Sequence, residues 1–381
     1  MPKTTIPNPI SLDVYANDQK VGTLAELPDH RIAFEYSSEW LQAGFSISPF
    51  SLPLKPGVFI PKSYDPFDGL FGAFADSLPD GWGSLLTDRL LRSYSIDPNS
   101  LTTLQRLALV GSNGKGLLEY RPSVALQESF SVLPFDDLAQ ECARILADKP
   151  SDRLDTLFEM GGSSGGARPK VNTTIDGQEW IVKFPASFDP ASIGEEEYQY
   201  FCCARECEIE VPEFRLFPSE RTTGYFGCQR FDRTDQGKIH MISAGALLET
   251  SYRIPNLDYE ILLKLTWLVT KNMEEVKRMF RLACFNVFSH NRDDHAKNFS
   301  FLYQNGQWKL SPAYDLTWSR SFGGEHATTI HGNGKNPGPS ELEQAALSIG
   351  LSAREARSII KSIQKTVNQN LKDILEDHTT H

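Results

Sequence analysis

Residues 285–316 read FNVFSHNRDDHAKNFSFLYQNGQWKLSPAYDL. Upstream, Val276, Met279, Phe280, Ala283 and Val287 recur at helical spacing and predict a helix that runs into this stretch. A polar cluster follows, from Ser289 through His290, Asn291, Arg292, Asp293 and Asp294 to His295. Residues 299–303 and 307–310 predict two short strands. Between them stands Asn305-Gly306, the strongest short-range hairpin signal. Tyr314-Asp315-Leu316 closes the unit.

The order of these polar groups has a chemical meaning. Phosphoryl transfer of the kinase type needs a carboxylate to accept the proton of the attacking hydroxyl. It needs an Asn a few residues on for one magnesium ion, and a further Asp for the metal that bridges the phosphates. Asp293, Asn298, a hairpin and then Asp315 follow that order. One extra residue separates His290 from Arg292, unlike the H-R-D of a eukaryotic kinase loop. Two blander readings compete. Asp293-Asp294 also suits a solvated surface turn. His290 and His295 with the carboxylates also suit a zinc site, although no H-E-x-x-H or H-x-H spacing is present.

Composition narrows the class. The chain has 381 residues, enough for two or three domains, and its 40% hydrophobic and 23% charged content is that of an ordinary globular protein. The net charge of −11 argues against non-specific binding along nucleic acid, which needs cations to neutralise phosphates. There is no basic-then-apolar leader and no apolar run of membrane length, which predicts a cytoplasmic chain with no membrane partner. Cys142, Cys202, Cys203, Cys207, Cys228 and Cys284 form no C-x-x-C and predict reduced, mostly buried thiols.

Three segments are expected: a small N-terminal module over residues 1–130, a lobe over 131–234 and a mainly helical lobe over 235–381. In the first, Asn17-Asp18-Gln19 predicts a hairpin turn, residues 31–36 a third strand, and residues 82–94 and 101–110 helices. This module offers no catalytic cluster. Residues 120–134 predict a looser boundary, and residues 135–146 a helix with Asp136 and Asp137 at its favoured end.

The middle segment carries Gly161-Gly162-Ser163-Ser164-Gly165-Gly166-Ala167-Arg168-Pro169-Lys170 before two predicted strands. Glycines let backbone amides approach phosphates closely, and hydroxyls add donors. The run is neither a Walker loop nor G-x-G-x-x-G, and alone it also suits a flexible connection. In Trp180-Ile181-Val182-Lys183-Phe184 a lysine ends an apolar strand, where it suits either nucleotide phosphates or a sheet edge. Glu195, Glu196 and Glu197 then open a helix. Glu197 shares a face with Phe201 and Ala204, so it turns inward to pair with Lys183, or it belongs to an acidic first turn that favours the helix dipole. Residues 225–233 predict a strand that leads into a linker.

Taken together, the glycine run, WIVKFP, QRFDR, DHAKNFS and SPAYDL, with DVYANDQKVGTL at the start, resemble the HipA family of bacterial toxin–antitoxin serine/threonine protein kinases. The resemblance spans nearly the whole chain. It implies an α+β, two-lobed, protein-kinase-like fold with an added N-terminal α+β module and a mainly helical C-terminal lobe. It implies ATP and Mg²⁺ as cofactors, Asp293 as general base, and Asn298 and Asp315 as magnesium ligands. Ser163, Ser164, Gly165, Gly166, Ala167, Lys170 and Lys183 are the implied phosphate contacts. Gln229 and Phe231 would lie near the adenine, with His295 and Lys297 as further nucleotide contacts. Ser163, with its neighbour Ser164, is the implied autophosphorylation site. Arg168 stands where many members have Gln. The implied partners are a protein substrate such as an aminoacyl-tRNA synthetase, and a HipB-like antitoxin through which DNA is reached indirectly.

Two other classes remain open at this stage. One is a catalytically silent partner or corepressor of a DNA-binding antitoxin. The other is a small-molecule phosphotransferase with the same site logic.

Overall fold

The computed structural model describes residues 6, 9–124 and 133–380. The Pro-rich residues 1–10, which read as loose in sequence, and the middle of the boundary expected over 120–134 lie largely outside them. The chain divides into two compact units. One comprises Met1–Gly194, Leu216–Ile242 and Ala246–Glu249; the other comprises Glu195–Arg215, Ser243–Gly245 and Thr250–His381.

The first unit opens with an antiparallel sheet ordered Val58–Phe59, Ile32–Tyr36, Gln19–Glu26, Ser11–Ala16, Leu118–Arg121. Its first hairpin turns at Asn17 and Asp18, both left-handed at φ 44° and 66°, as a two-residue turn of type I′ requires. The helices Gly81–Ser93, Thr103–Val110 and Phe135–Leu146 form where the apolar periodicity places them. Thr102 and Gln105 close a capping box at the start of the second. A second antiparallel set joins Lys170–Ile175, Gln178–Lys183 and Tyr225–Gln229. Trp82 and Leu86 of the helix Gly81–Ser93 share one buried core with Val171, Val182 and Phe184 of these strands. Residues of the early segment therefore belong to the same packing layer as the glycine run.

The second unit is mainly helical: Tyr259–Thr270, Met273–Ser289, Pro339–Ser348, Ala353–Asn370 and Lys372–Thr380. In Met273–Ser289 the expected stripe of Val276, Met279, Phe280, Ala283 and Val287 is buried, but so are Leu282, Cys284, Phe285, Asn286 and Ser289. The helix is buried almost all round near its C-terminal end, so its polar residues there need internal partners. Strands Ser300–Gln304 and Gln307–Leu310 pair around Asn305 and Gly306, at φ 54° and 76°. One expectation is corrected. Apolar spacing over residues 353–374 predicts one amphipathic helix, and the structure forms two, parted at Leu371, which is buried and leaves helical geometry at φ −112°.

No disulfide forms among the six cysteines, and five of them are buried. No helix among the described residues is long and apolar enough to cross a membrane.

Candidate active site

The helix Met273–Ser289 ends at His290, whose φ of 55° is the left-handed stop that redirects the chain. Burial, with Arg292 and His326 nearby, pulls the His290 ring down to about 4, so it is neutral near pH 7. Its backbone carbonyl accepts from Arg292 N at 3.0 Å and Ser319 N at 3.1 Å, which fixes the turn.

The two adjacent aspartates have opposite environments. Asp294 is 1% exposed. It accepts from Tyr259 Oη at 2.9 Å, His326 Nδ1 at 2.8 Å and Thr328 N at 3.2 Å, and its carbonyl accepts from Thr328 Oγ1. Asn286 donates to the same Tyr259 oxygen, and Asn291 donates to Asn286. Burial first, then the Asp294 carboxylate, holds the Tyr259 phenol well above its usual range. Asp294 is thus the hub of a buried network beneath the loop. Asp293 is exposed to solvent.

Asn298 Nδ2 donates to the Asp293 carbonyl at 2.7 Å. That bond ties the two ends of D-x-x-x-x-N together. His295 caps the short turn Ala296–Asn298 by accepting from Lys297 N at 3.3 Å. The His295 ring lies 5.5 Å from that of Tyr252, and Lys297 Nζ sits 4.4 Å over the same Tyr252 ring. Tyr314 Oη bonds Ser300 Oγ and the Lys297 carbonyl, each at 2.6 Å, clamping the hairpin to the loop. The next residue, Asp315, takes φ 57°, a left-handed conformation that non-glycine residues adopt sparingly and often at functional positions.

The glycine run lies in the other unit. Ser164 is buried and donates to the Gly161 carbonyl at 2.5 Å. Ser163 donates to the Asn113 carbonyl at 2.6 Å from a more open position. Lys170 and Lys183 stand directly opposite one another in register. Like charges in that relation disfavour the sheet unless something offsets them. Lys170 Nζ donates to the Gly165 carbonyl at 2.6 Å, and Lys183 Nζ lies 5.8 Å from the Phe226 ring centre. Gln229 donates to Gln178 at 2.7 Å, and Phe231 is half-buried just beyond that strand. Glu197, in the second unit, is 2% exposed.

Asp293, His295, Lys297 and Asn298 therefore lie on one loop, which Tyr314 ties to the segment carrying Asp315. Ser163 to Lys170, with Lys183, form a second cluster. Among the described residues, no group of three or more His, Cys, Asp or Glu side chains is arranged to hold a metal.

The sequence reasoning missed what docks the glycine run. Asp80 accepts from Gly166 N, Trp82 N donates to the Gly166 carbonyl at 2.9 Å, and Trp82 Nε1 donates to the Lys170 carbonyl at 3.1 Å. A side chain at Gly81 or Gly83 would meet the Gly166 or Ser164 carbonyl at 2.3 Å. In sequence Leu78-Pro79-Asp80-Gly81 reads as a turn ahead of the helix, but nothing in it names its partner.

The HipA-like C-terminal domain model matches residues 162–371, and the HipA N-terminal domain model matches residues 12–121. Y4mE of Sinorhizobium fredii, a protein named as a kinase, is 26% identical over 345 residues, covering 80% of this chain and 76% of its own. The serine/threonine-protein kinase toxin HipA of Shewanella oneidensis is 21% identical over 351 residues, covering 81% of this chain and 75% of its own. The solved complex of Shewanella oneidensis HipA with HipB and operator DNA contains a chain that superposes with a TM-score of 0.73 at 19% identity, over 96% of this chain and 90% of that one. That likeness supports the expected α+β, kinase-like fold.

Proposed function

This chain belongs to the HipA family, and from that premise we propose that it is an ATP- and Mg²⁺-dependent serine/threonine protein kinase, the toxin of a bacterial toxin–antitoxin pair. The observation that carries the proposal is the 2.7 Å bond from Asn298 to the Asp293 carbonyl, beside the exposed carboxylate of Asp293. It holds a proton acceptor and a metal ligand in one fixed loop. Asp293 orients and deprotonates the hydroxyl of the target. The donors fit magnesium: the amide oxygen of Asn298 and the carboxylate of Asp315 are the hard oxygen ligands that ion prefers. Mg·ATP, when bound, supplies the phosphoryl group. Lys170, Lys183 and the amides of residues 163–167 meet its negative charge, and Gln229, Phe231, His295 and Lys297 make the remaining nucleotide contacts. Most of the acceleration comes from positioning and electrostatics.

The substrate class is a protein of the translation apparatus, such as an aminoacyl-tRNA synthetase. The partner is a HipB-like antitoxin, through which DNA is reached; the Shewanella oneidensis HipA complex, with its HipB and operator DNA, motivates this part. The place of action is the cytoplasm. Autophosphorylation falls on Ser163 rather than Ser164, because Ser164 is buried under the Gly161 carbonyl. Phosphate there adds roughly −1.5 to −2 charge and removes the donor that bonds Asn113, which switches the loop out of its ATP-binding form.

The test is intact mass after expression, for the wild type and for Asp293→Gln. One added phosphate at Ser163 in the wild type, absent in the variant, supports the proposal. No added mass in either, with no Mg·ATP-dependent rise in melting temperature, refutes it in favour of a silent antitoxin partner. Phosphorylated small molecules without phosphoprotein would favour the small-molecule enzyme.

A further inference from the structure

Loop 111–116 reads Gly-Ser-Asn-Gly-Lys-Gly and belongs to the N-terminal module. It is held with unusual care. Lys238 Nζ donates to the Ser112 carbonyl at 2.6 Å, Arg233 donates to the Gly114 and Gly116 carbonyls at 2.8 and 2.9 Å, and Gly116 N donates to Asp232 at 2.7 Å. Arg230 adds a longer bond to the Gly114 carbonyl at 3.3 Å and pairs with Asp232 at 2.8 Å. Arg230 and Asp232 are both buried, and the paired guanidinium groups hold the Asp232 carboxyl far below its usual range despite that burial.

All of these bonds use the loop's backbone. None needs the Lys115 side chain, which is half-buried and points at the glycine run. Lys115 Nζ lies 2.8 Å from the point a Cβ on Gly165 would occupy, and Asp80 Oδ1 lies 2.9 Å from the same point. On the other side of this peptide, Lys170 Nζ bonds the Gly165 carbonyl. Ser163 adds the bond to Asn113, so the two glycine-rich loops touch at two places. Asp80 also accepts from Gly166 N, and Lys183 stands in register with Lys170.

We propose that Lys115 is a third cation of the nucleotide phosphate site, and that the N-terminal module completes that site through loop 111–116. The inference rests on the kinase reading above. A lysine in this setting acts as a point charge on phosphate oxygens, and a rigid loop delivers it at low entropic cost.

The experiment is a calorimetric titration of Mg·ATP into the full chain, with a nucleotide-free melting curve for each variant. The variants are Lys115→Gln, which keeps length and removes charge, Lys115→Arg, which keeps charge, and Lys183→Ala. Lys115→Gln should melt like the wild type and bind Mg·ATP about tenfold more weakly, with Lys115→Arg recovering most of the loss. Wild-type affinity in Lys115→Gln, while Lys183→Ala loses binding, overturns this inference alone. An equal loss in Lys115→Gln and Lys115→Arg also overturns it, because packing and not charge would then be at work. No Mg·ATP binding by the wild type overturns the kinase reading on which it stands.

Discussion

Asp293 and Asp294 are neighbours in sequence with opposite physical tasks. Asp294 is the acceptor for Tyr259, His326 and Thr328 in a site closed to water. Removing it leaves their buried donors unpaired, and Asp294→Ala should cost about 3–5 kcal/mol in urea unfolding. Asp293 is exposed, and Asp293→Asn should stay within about 0.5 kcal/mol of the wild type while abolishing phosphoryl transfer. Equal stability of the two variants would show that the roles have been misassigned. No pattern in D-D separates these two residues. The difference arises only when His326 and Thr328, more than thirty residues later, are folded back onto the loop.

At the scale of elements, the glycine run is shaped from outside. The start of the helix Gly81–Ser93 lies so close that Gly83 has room for no side chain, since a Cβ there would meet the Ser164 carbonyl at 2.3 Å. Helix propensity alone predicts that Gly83→Ala stabilises the protein by roughly 1 kcal/mol. The packing predicts the opposite sign: a lower melting temperature and weaker Mg·ATP binding, as the loop is pushed off its seat. A melting curve decides between them. The helix itself was legible from Leu85, Leu86, Leu90 and Leu91. Its partner was not, because hydrophobic spacing reports which face is buried and not what covers it.

At the scale of the whole molecule, His240 links folding to pH. It is fully buried, and its Nε2 bonds the Ile47 carbonyl at 2.8 Å. Burial pulls the ring from 6.5 down to about 4, so the folded chain keeps it neutral while the unfolded chain protonates it near 6.5. The unfolded state therefore binds more protons between pH 6.5 and 4. Stability is complete above that window and falls as pH drops through it, by about 2 kcal/mol at pH 5. Replacing His240 with Gln should flatten the fall in melting temperature between pH 7 and pH 5. An unchanged slope would assign the acid sensitivity to other groups.

The sequence by itself determined most of the elements and the order of the candidate site residues. Turn residues with left-handed preference placed both hairpins, apolar spacing placed the long helices, and Asp293, Asn298 and Asp315 stood in an order that phosphoryl transfer explains. These signals are local, or depend only on order along the chain. The tertiary structure decided which aspartate faces water, that Ser164 is buried, that Lys170 faces Lys183, and that Asp80, Trp82 and Lys115 of the N-terminal module reach the glycine run. Each of these depends on groups far apart in sequence brought within a few ångströms. Burial and close approach are properties of packed surfaces, and no residue's identity specifies what will pack against it.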